Sequence, residues 1–228
     1  MHRRRIATLI TLTTIVIIGF YAYSEALMME PEVVSMQIDI SSAPTKGAAT
    51  ASVAVVEFGD YQCQYCATQA NTVLRLLDRD YVNSGKIKYV FMNFPLPKHL
   101  LAPKAAQAAI CAGETGKYWP MHDLIFRRGD VKLESLWGYA SALGLHTDSF
   151  KACVSSGRYR GNVARDYREG VKANVWTTPT TFLGFTGLDV VQATMKFQGT
   201  VNYRSLREAV DVLLAEAKEN KRAGTAPQ

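Results

Sequence analysis

Two cysteines stand three residues apart, Cys63 and Cys66, directly after an apolar run from Val53 to Phe58 that closes in Gly59-Asp60. The run has the length of a buried strand, and the residues from Cys63 onward are compatible with a helix. The spacing therefore predicts a strand-to-helix junction, with one sulfur at the exposed helix N-terminus and the second facing inward one turn later. Unsatisfied backbone N–H groups and the helix dipole favour negative charge at that end, so the first sulfur can be held as thiolate, the form that attacks disulfides. The residues point to thiol–disulfide chemistry centred on Cys63. A purely stabilising disulfide fits poorly, because a bridge across two residues closes too short a loop to constrain the chain. A structural zinc site fits poorly as well: there is no second Cys-x-x-Cys, Cys111 and Cys153 are isolated, and no metal is expected.

At 228 residues the chain suits one elaborated domain with a full hydrophobic core. Its 48% hydrophobic and 20% charged residues exclude wholesale disorder. The N-terminus carries a separate message. Arg3, Arg4 and Arg5 precede Ile6 to Tyr23, eighteen residues without a formal charge. As a helix this run spans about 27 Å, close to the hydrocarbon thickness of a bilayer. The basic flank stays cytoplasmic, so everything after residue 24 is expected to be exported, into a compartment where disulfides persist. Residues 1–26 read either as a retained signal anchor or as a cleaved signal ending at Ser24-Glu25-Ala26. The net charge of +6 leaves 23 basic against 19 acidic residues once 1–26 are set aside, and no nucleic-acid motif accompanies it.

Residues 27–50 read mainly as a linker, with Met36 to Ile40 alternating like an edge strand and Pro44 to Gly47 forming a turn. After the strand Val53–Phe58, Ala67 to Tyr81 is an amphipathic helix whose inner face is Cys66, Ala70, Val73, Leu74, Leu77 and Tyr81. Ile87 to Phe94 is a second buried strand, which completes a βαβ unit. Helices are predicted over 103–111, 118–126, 133–143, a short one capped by Thr147, and 158–173. The last has Tyr159, Val163, Tyr167 and Val171 inward and four arginines on a side read as a solvated face. Thr177 to Leu183 turns into a strand, a further strand lies around Val190 to Phe197, and a final helix opens with a capping box, Ser205-x-x-Glu208. The α/β reading is thus a sheet domain, 51–98 and 176–220, interrupted by a helical insertion, 99–175, with a tail at 221–228.

At this level of organisation the chain resembles the DsbA-like branch of the thioredoxin superfamily, over about residues 50–217. The residues that carry the resemblance are VEFGDYQCQYC at 56–66, AAQAAICAGETGKYWPMHDLIF at 105–126 and TTPTTF at 177–182. It implies a thioredoxin fold with a helical-domain insertion between the two sheet halves, and extracytoplasmic or periplasmic oxidoreductase activity. It also implies a nucleophilic, solvent-facing Cys63, a buried resolving Cys66, and a cis peptide bond before Pro179 that sets Thr178 beside the sulfurs. Glu57 matches the buried acid beneath the disulfide. Burial raises a carboxyl pKa, which suits Glu57 to relay the proton of Cys66.

Direction is set by the dipeptide between the cysteines. Gln64 neither rigidifies the turn nor adds charge, and no imidazole lies in the motif. Tyr65, with Thr178, is similar to isomerase and reductase relatives, so the pair is expected to be less oxidising than one with Pro-His. Oxidation of exported, cysteine-containing polypeptides is the leading reading, and disulfide reduction or isomerisation the alternative. No cofactor is expected, since the electrons reside in the cysteine pair. The implied partner is a membrane redox protein, a quinone-linked oxidase or a thiol-relay reductase. A non-catalytic polypeptide-binding module and a thiol peroxidase are rivals from other classes. Cys111 and Cys153, an even pair in an oxidising compartment, are expected to be bridged, the alternative being two buried apolar thiols. His122, His99, His146, Trp119 and Trp137 read as packing or surface residues. Tyr61, Tyr65 and Trp176 read equally as packing or as an apolar rim for unfolded polypeptide.

Overall fold

The centre of the computed structural model, which describes residues 29–224, is the strand β3, Val53–Gly59, buried along its whole length. The chain divides into a unit Met1–Glu30 and a unit Pro31–Gln228, and every described strand and helix belongs to the second. The anchor or signal read over 1–26, and residues 225–228 of the tail, lie outside the described residues. Among those described, no helix is long and apolar enough to cross a membrane.

Six strands form one sheet in the order β1-β6-β5-β3-β4-β2. They are β1 (Glu32–Asp39), β2 (Thr45–Gly47), β3, β4 (Lys88–Asn93), β5 (Thr180–Thr186) and β6 (Val190–Gln198). β3 runs parallel to β4 and antiparallel to β5. Covered on both faces, it needs apolar residues at every position rather than at alternate ones, which is why its sequence is a continuous run. Its side chains still alternate. Val53 and Val55 enter the larger core with the helix that follows the cysteines and the helical insertion, while Ala54, Val56 and Phe58 enter a second core on the opposite face. Glu57 shares the parity of Val53 and Val55 and so projects into the larger core.

The first helix, α1, is one run in four consecutive pieces: Gln64–Gln69, Ala70–Leu74, Arg75–Leu77 and Asp78–Val82, the second and fourth wound as π turns. Between β4 and β5 come α2 (Ala102–Gly113), α3 (Tyr118–Arg128), α4 (Leu133–Ala142), α5 (Thr147–Ser156) and α6 (Arg160–Lys172), and the chain closes with α7 (Tyr203–Ala223). The mixed α/β architecture with a helical block between two sheet halves is therefore present. Cys111 of α2 and Cys153 of α5 are bridged, Cα to Cα 6.0 Å, and tie two insertion helices across 42 residues of sequence.

Three local expectations are corrected. Residues 27–50 are not mainly linker: β1 adds eight residues on one sheet edge and β2 three on the other. The edge strand read over Met36 to Ile40 covers the second half of β1; its first half lies beyond a register shift between Val33 and Met36 that breaks the alternation, and β2 is very short. α7 is capped by Asn202, whose side chain accepts from the backbone N–H of Ser205, so the Ser205-x-x-Glu208 pattern lies inside the helix. Thr147 is the first helical residue of α5 rather than its cap, which is His146.

One buried cation stands out. Lys196 of β6 is buried, donates from Nζ to the carbonyl of Asn174 at 3.0 Å, and has Glu32 of β1 at 3.6 Å. Asn174 follows α6 in the left-handed region (φ 53°), at the start of the segment that leads to Thr178.

The Cys111–Cys153 bridge closes a long loop. Its replacement by two serines is expected to cost about 2–4 kcal/mol, mainly through the freed unfolded chain. Equilibrium denaturation in urea measures this, and an unchanged midpoint would show that the bridge constrains nothing.

Candidate active site

β3 ends in Gly59, where a Cβ would come within 2.4 Å of the Phe91 ring, so glycine lets the strand pass over that ring before the chain turns. The next residue organises the turn. Asp60 is buried, and its Oδ1 accepts from Gln62 N at 2.7 Å. Its Oδ2 accepts from Leu96 N at 2.7 Å and lies 2.7 Å from His99 Nδ1, which must carry the proton because a carboxylate only accepts. The backbone of Asp60 serves the cysteines: its carbonyl accepts from Cys63 N at 3.0 Å, and its N–H points to Cys66 Sγ at 3.4 Å. Gln62 Oε1 then accepts from Leu101 N at 2.6 Å and Ala102 N at 2.7 Å, at the start of α2. The redox turn is thus stitched to the connection into the helical insertion.

Cys63 occupies the N-cap position of α1, with no acidic residue in the first turn. Contrary to the exposed sulfur expected, the residue is only 6% accessible. The cover comes from the opposite loop, where the peptide bond between Thr178 and Pro179 is cis and the Thr178 carbonyl lies 3.3 Å from Cys63 Sγ. The Cys63 thiol is pushed down to about 5. Donation from the Cys66 thiol is the largest cause; the Thr178 side chain and the N–H groups of Cys66 and Tyr65 add to it, and burial opposes it. Cys66 moves the other way, well above an ordinary thiol, because it is buried, donates to Cys63 and faces the charge of Glu57. One sulfur is held ready to ionise and its neighbour is held protonated.

Glu57 is buried below this pair. Its Oε2 accepts from Gln69 Nε2 and from the Tyr89 hydroxyl, each at 3.0 Å. Burial raises its pKa to about 7, with the two hydrogen bonds and the Lys46 charge acting against the rise. Gln69 has no free valence: Nε2 also reaches Thr181 Oγ1 at 3.1 Å, and Oε1 accepts from Val201 N at 3.0 Å. Lys46 of β2 lies over the rings of Trp119 and Tyr89 at 4.7 and 5.2 Å and pairs with Asp78 at 2.5 Å.

The structure brings Cys63, Cys66, Glu57, Thr178 and Pro179 to one end of the sheet. Gln64 and Tyr65 face solvent, and Tyr65 and Trp176 are each 68% exposed. Tyr61 is buried instead, stacked on Phe126 at 4.7 Å and bonded through its hydroxyl to His122 Nδ1 at 3.0 Å, so it forms no part of a rim. His122 is fully buried among aromatic rings and held well below its ordinary pKa by that burial. Cys111 and Cys153 sit in the insertion and do not join the pair. Among the described residues no group of three or more His, Cys, Asp or Glu is placed to hold a metal ion. Asp60, Gln62, Gln69 and Tyr89 escaped the sequence reading. The one local signal was an aspartate directly after a strand-ending glycine, a residue type that binds nearby backbone N–H groups.

A family model described as Thioredoxin matches residues 41–219. The Na(+)/H(+) antiporter NhaA 1 of Salinispora arenicola is 38% identical over 140 residues, 60% of this chain and 21% of that protein. The chain spans about a fifth to a quarter of the length of the antiporter-named relatives it matches. Disulfide bond formation protein D of Bacillus subtilis is 25% identical over 166 residues, 67% of this chain and 72% of that protein. In structure, α-DsbA1 of Wolbachia pipientis superimposes with a TM-score of 0.70 at 19% identity, covering 78% of this chain and 94% of that one, a likeness of fold. The family model spans most of the chain, and the chain belongs to the thioredoxin family, with a fold similar to that of DsbA proteins.

Proposed function

We propose that the chain is an exported thiol–disulfide oxidoreductase that introduces disulfides into cysteine-containing polypeptides. The observation that carries this reading is the split between the two thiols, Cys63 at about 5 and Cys66 far above. A thiolate that is stable at neutral pH stabilises the reduced pair, and an enzyme with a stable reduced form gives its disulfide away readily. The value lies between the ~7 of a reducing thioredoxin and the ~3.5 of a strongly oxidising DsbA, which fits an oxidant milder than a Pro-His protein.

In the forward step a substrate thiolate attacks Cys63 of the Cys63–Cys66 disulfide. The new bond joins substrate sulfur to Cys63, and the electron pair of the broken bond leaves on Cys66, which takes a proton. A second substrate thiolate attacks the mixed disulfide at the substrate sulfur, releasing oxidised substrate and Cys63 as thiolate. Glu57, with a pKa near neutrality, is the group suited to pass the proton to and from Cys66. A membrane redox partner then takes two electrons and restores the disulfide, a quinone-linked oxidase in this direction. The exposed Tyr65 and Trp176 support contact with unfolded chains. Gln64-Tyr65, without Pro or His, supports the alternative of reduction or isomerisation, in which reduced Cys63 attacks and Cys66 resolves, and a thiol-relay reductase serves as partner. Residues 1–26 supply the export address, as anchor or cleaved signal.

Two experiments bear on this reading. Absorbance of the reduced protein at 240 nm across pH is expected to show Cys63 half ionised near pH 5. Cys66→Ala removes the donor that contributes most to the depression and should move that midpoint upward by about one unit or more. A wild-type midpoint at an ordinary thiol value would sink the oxidase reading.

The second concerns Glu57. Its folded pKa of about 7 exceeds its ordinary 4.5, so the folded protein holds a proton that the unfolded chain releases. Stability of the reduced form therefore falls as pH rises from 4.5 to 7, and Glu57→Gln removes that slope. The variant is expected to be more stable than wild type by about 3 kcal/mol at pH 8 and equal to it near pH 4. It should also slow the steps in which Cys66 gains or loses a proton. Parallel pH–stability curves and unchanged stopped-flow rates would remove Glu57 from the relay.

A further inference from the structure

The basic side of α6 is not uniformly solvated charge. Arg158, just before the helix, pairs with Glu114, and Arg165 pairs with Asp166. Arg160 and Arg168 have no acidic partner among the described residues. With Ala164 they follow one another at four-residue steps, so the three lie along one face, the smallest side chain between two cations.

Below that face is a groove of about 390 Å³. α6 lines it with Val163, Ala164 and Tyr167, Pro95 lines it from the connection that leads into α2, and Pro103 from the first turn of α2. Tyr167 is fixed by stacking on Phe94 at 4.6 Å, which makes the wall rigid. A single uncharged polar side chain, Gln107, also borders the groove. It is only 3% accessible and uses Nε2 to donate to the Pro103 carbonyl at 3.0 Å, while its Oε1 is buried with no hydrogen-bond partner. With that amide closed off, the groove presents an apolar wall below the two cations.

The groove adjoins the redox turn. Pro95 precedes Leu96, whose N–H is held by Asp60, and Pro103 follows Ala102, whose N–H is held by Gln62. We propose that this groove is a second contact for the polypeptide whose cysteine meets Cys63. It takes one apolar side chain between the prolines and α6, and an adjacent Asp or Glu between Arg160 and Arg168. The proposal rests on the oxidoreductase reading and narrows its substrates to segments that carry an apolar residue beside an acidic one, near a cysteine.

The test uses fluorescein-labelled peptides of one cysteine followed, at several spacings, by Leu-Glu, and matched peptides with Leu-Lys. The rate of mixed-disulfide formation with the oxidised full chain is compared with that of dithiothreitol, which is too small to fill the groove. At the best spacing the Leu-Glu peptide is expected to react about tenfold faster than its Leu-Lys counterpart in the wild type. Arg160→Glu with Arg168→Glu should reverse the preference. Ala164→Trp, at an exposed position, should erase it, with the dithiothreitol rate unchanged in each variant. Equal peptide rates in the wild type, or a preference that survives Ala164→Trp, overturn the groove while the redox reading stands. Failure to oxidise dithiothreitol at all overturns both.

Discussion

The parallel pairing of β3 with β4, and the antiparallel pairing of β3 with β5, hold everything else in this molecule in place. Because β3 has a neighbour on each edge and cover on each face, its C-terminal end is a fixed point. The register sets Glu57 opposite Phe91 on one side and Thr181 on the other, and Phe58 opposite Thr180. The cis-proline loop enters β5 immediately before Thr180, so the pairing that aligns the strands also brings Thr178 to Cys63. A carboxyl group and two thiols from one stretch, 57–66, and a carbonyl from a second more than a hundred residues on, meet with little left to the flexibility of loops.

On that fixed point the chemistry is a matter of unequal solvation. Cys63 and Cys66 are the same residue one helical turn apart, and every neighbour treats them differently. Donation from the Cys66 thiol and the N–H groups of Cys66 and Tyr65 stabilise charge on the first sulfur, while burial and the Glu57 charge oppose it on the second. Glu57 is itself held near neutrality by the same burial, partly offset by Gln69 and Tyr89. The three groups are coupled, since a charge on any of them raises the cost of charge on the others.

Much of this could be read from local pattern. The apolar run and the cysteine spacing each fall within a few residues and set their own local structure, whereas the cis bond before Pro179 followed from the family resemblance alone. What escaped depends on long-range partners. Asp60 acquires its role from Leu96 and His99, more than thirty residues on. Gln69 looks like an ordinary polar helix position until Glu57, Thr181 and Val201 are folded around it. The exposure of Cys63 was misjudged for the same reason, because its cover is a loop more than a hundred residues away. The edge strand was legible only from Met36 on, because the register shift between Val33 and Met36 breaks the alternation ahead of it. Asn202 outcompeted Ser205 as a cap because the helix begins at Tyr203, three residues ahead of Leu206, where its apolar stripe starts.

The buried Lys196 links the two ends of this fold in a way that bears on where the working unit begins. Its ammonium group, deep in the second core, is satisfied by the Asn174 carbonyl and by Glu32 of the first strand. Asn174 starts the segment that carries Trp176 and Thr178 to the cysteines. A fragment cut at the start of β3 would keep every reactive group and the whole redox turn. It would nonetheless strip β6 of its edge neighbour, and leave a buried positive charge leaning on the backbone that aims the cis-proline loop. The smallest fragment in which that loop keeps its aim therefore starts ahead of Glu32, well upstream of the first residue that takes part in the chemistry.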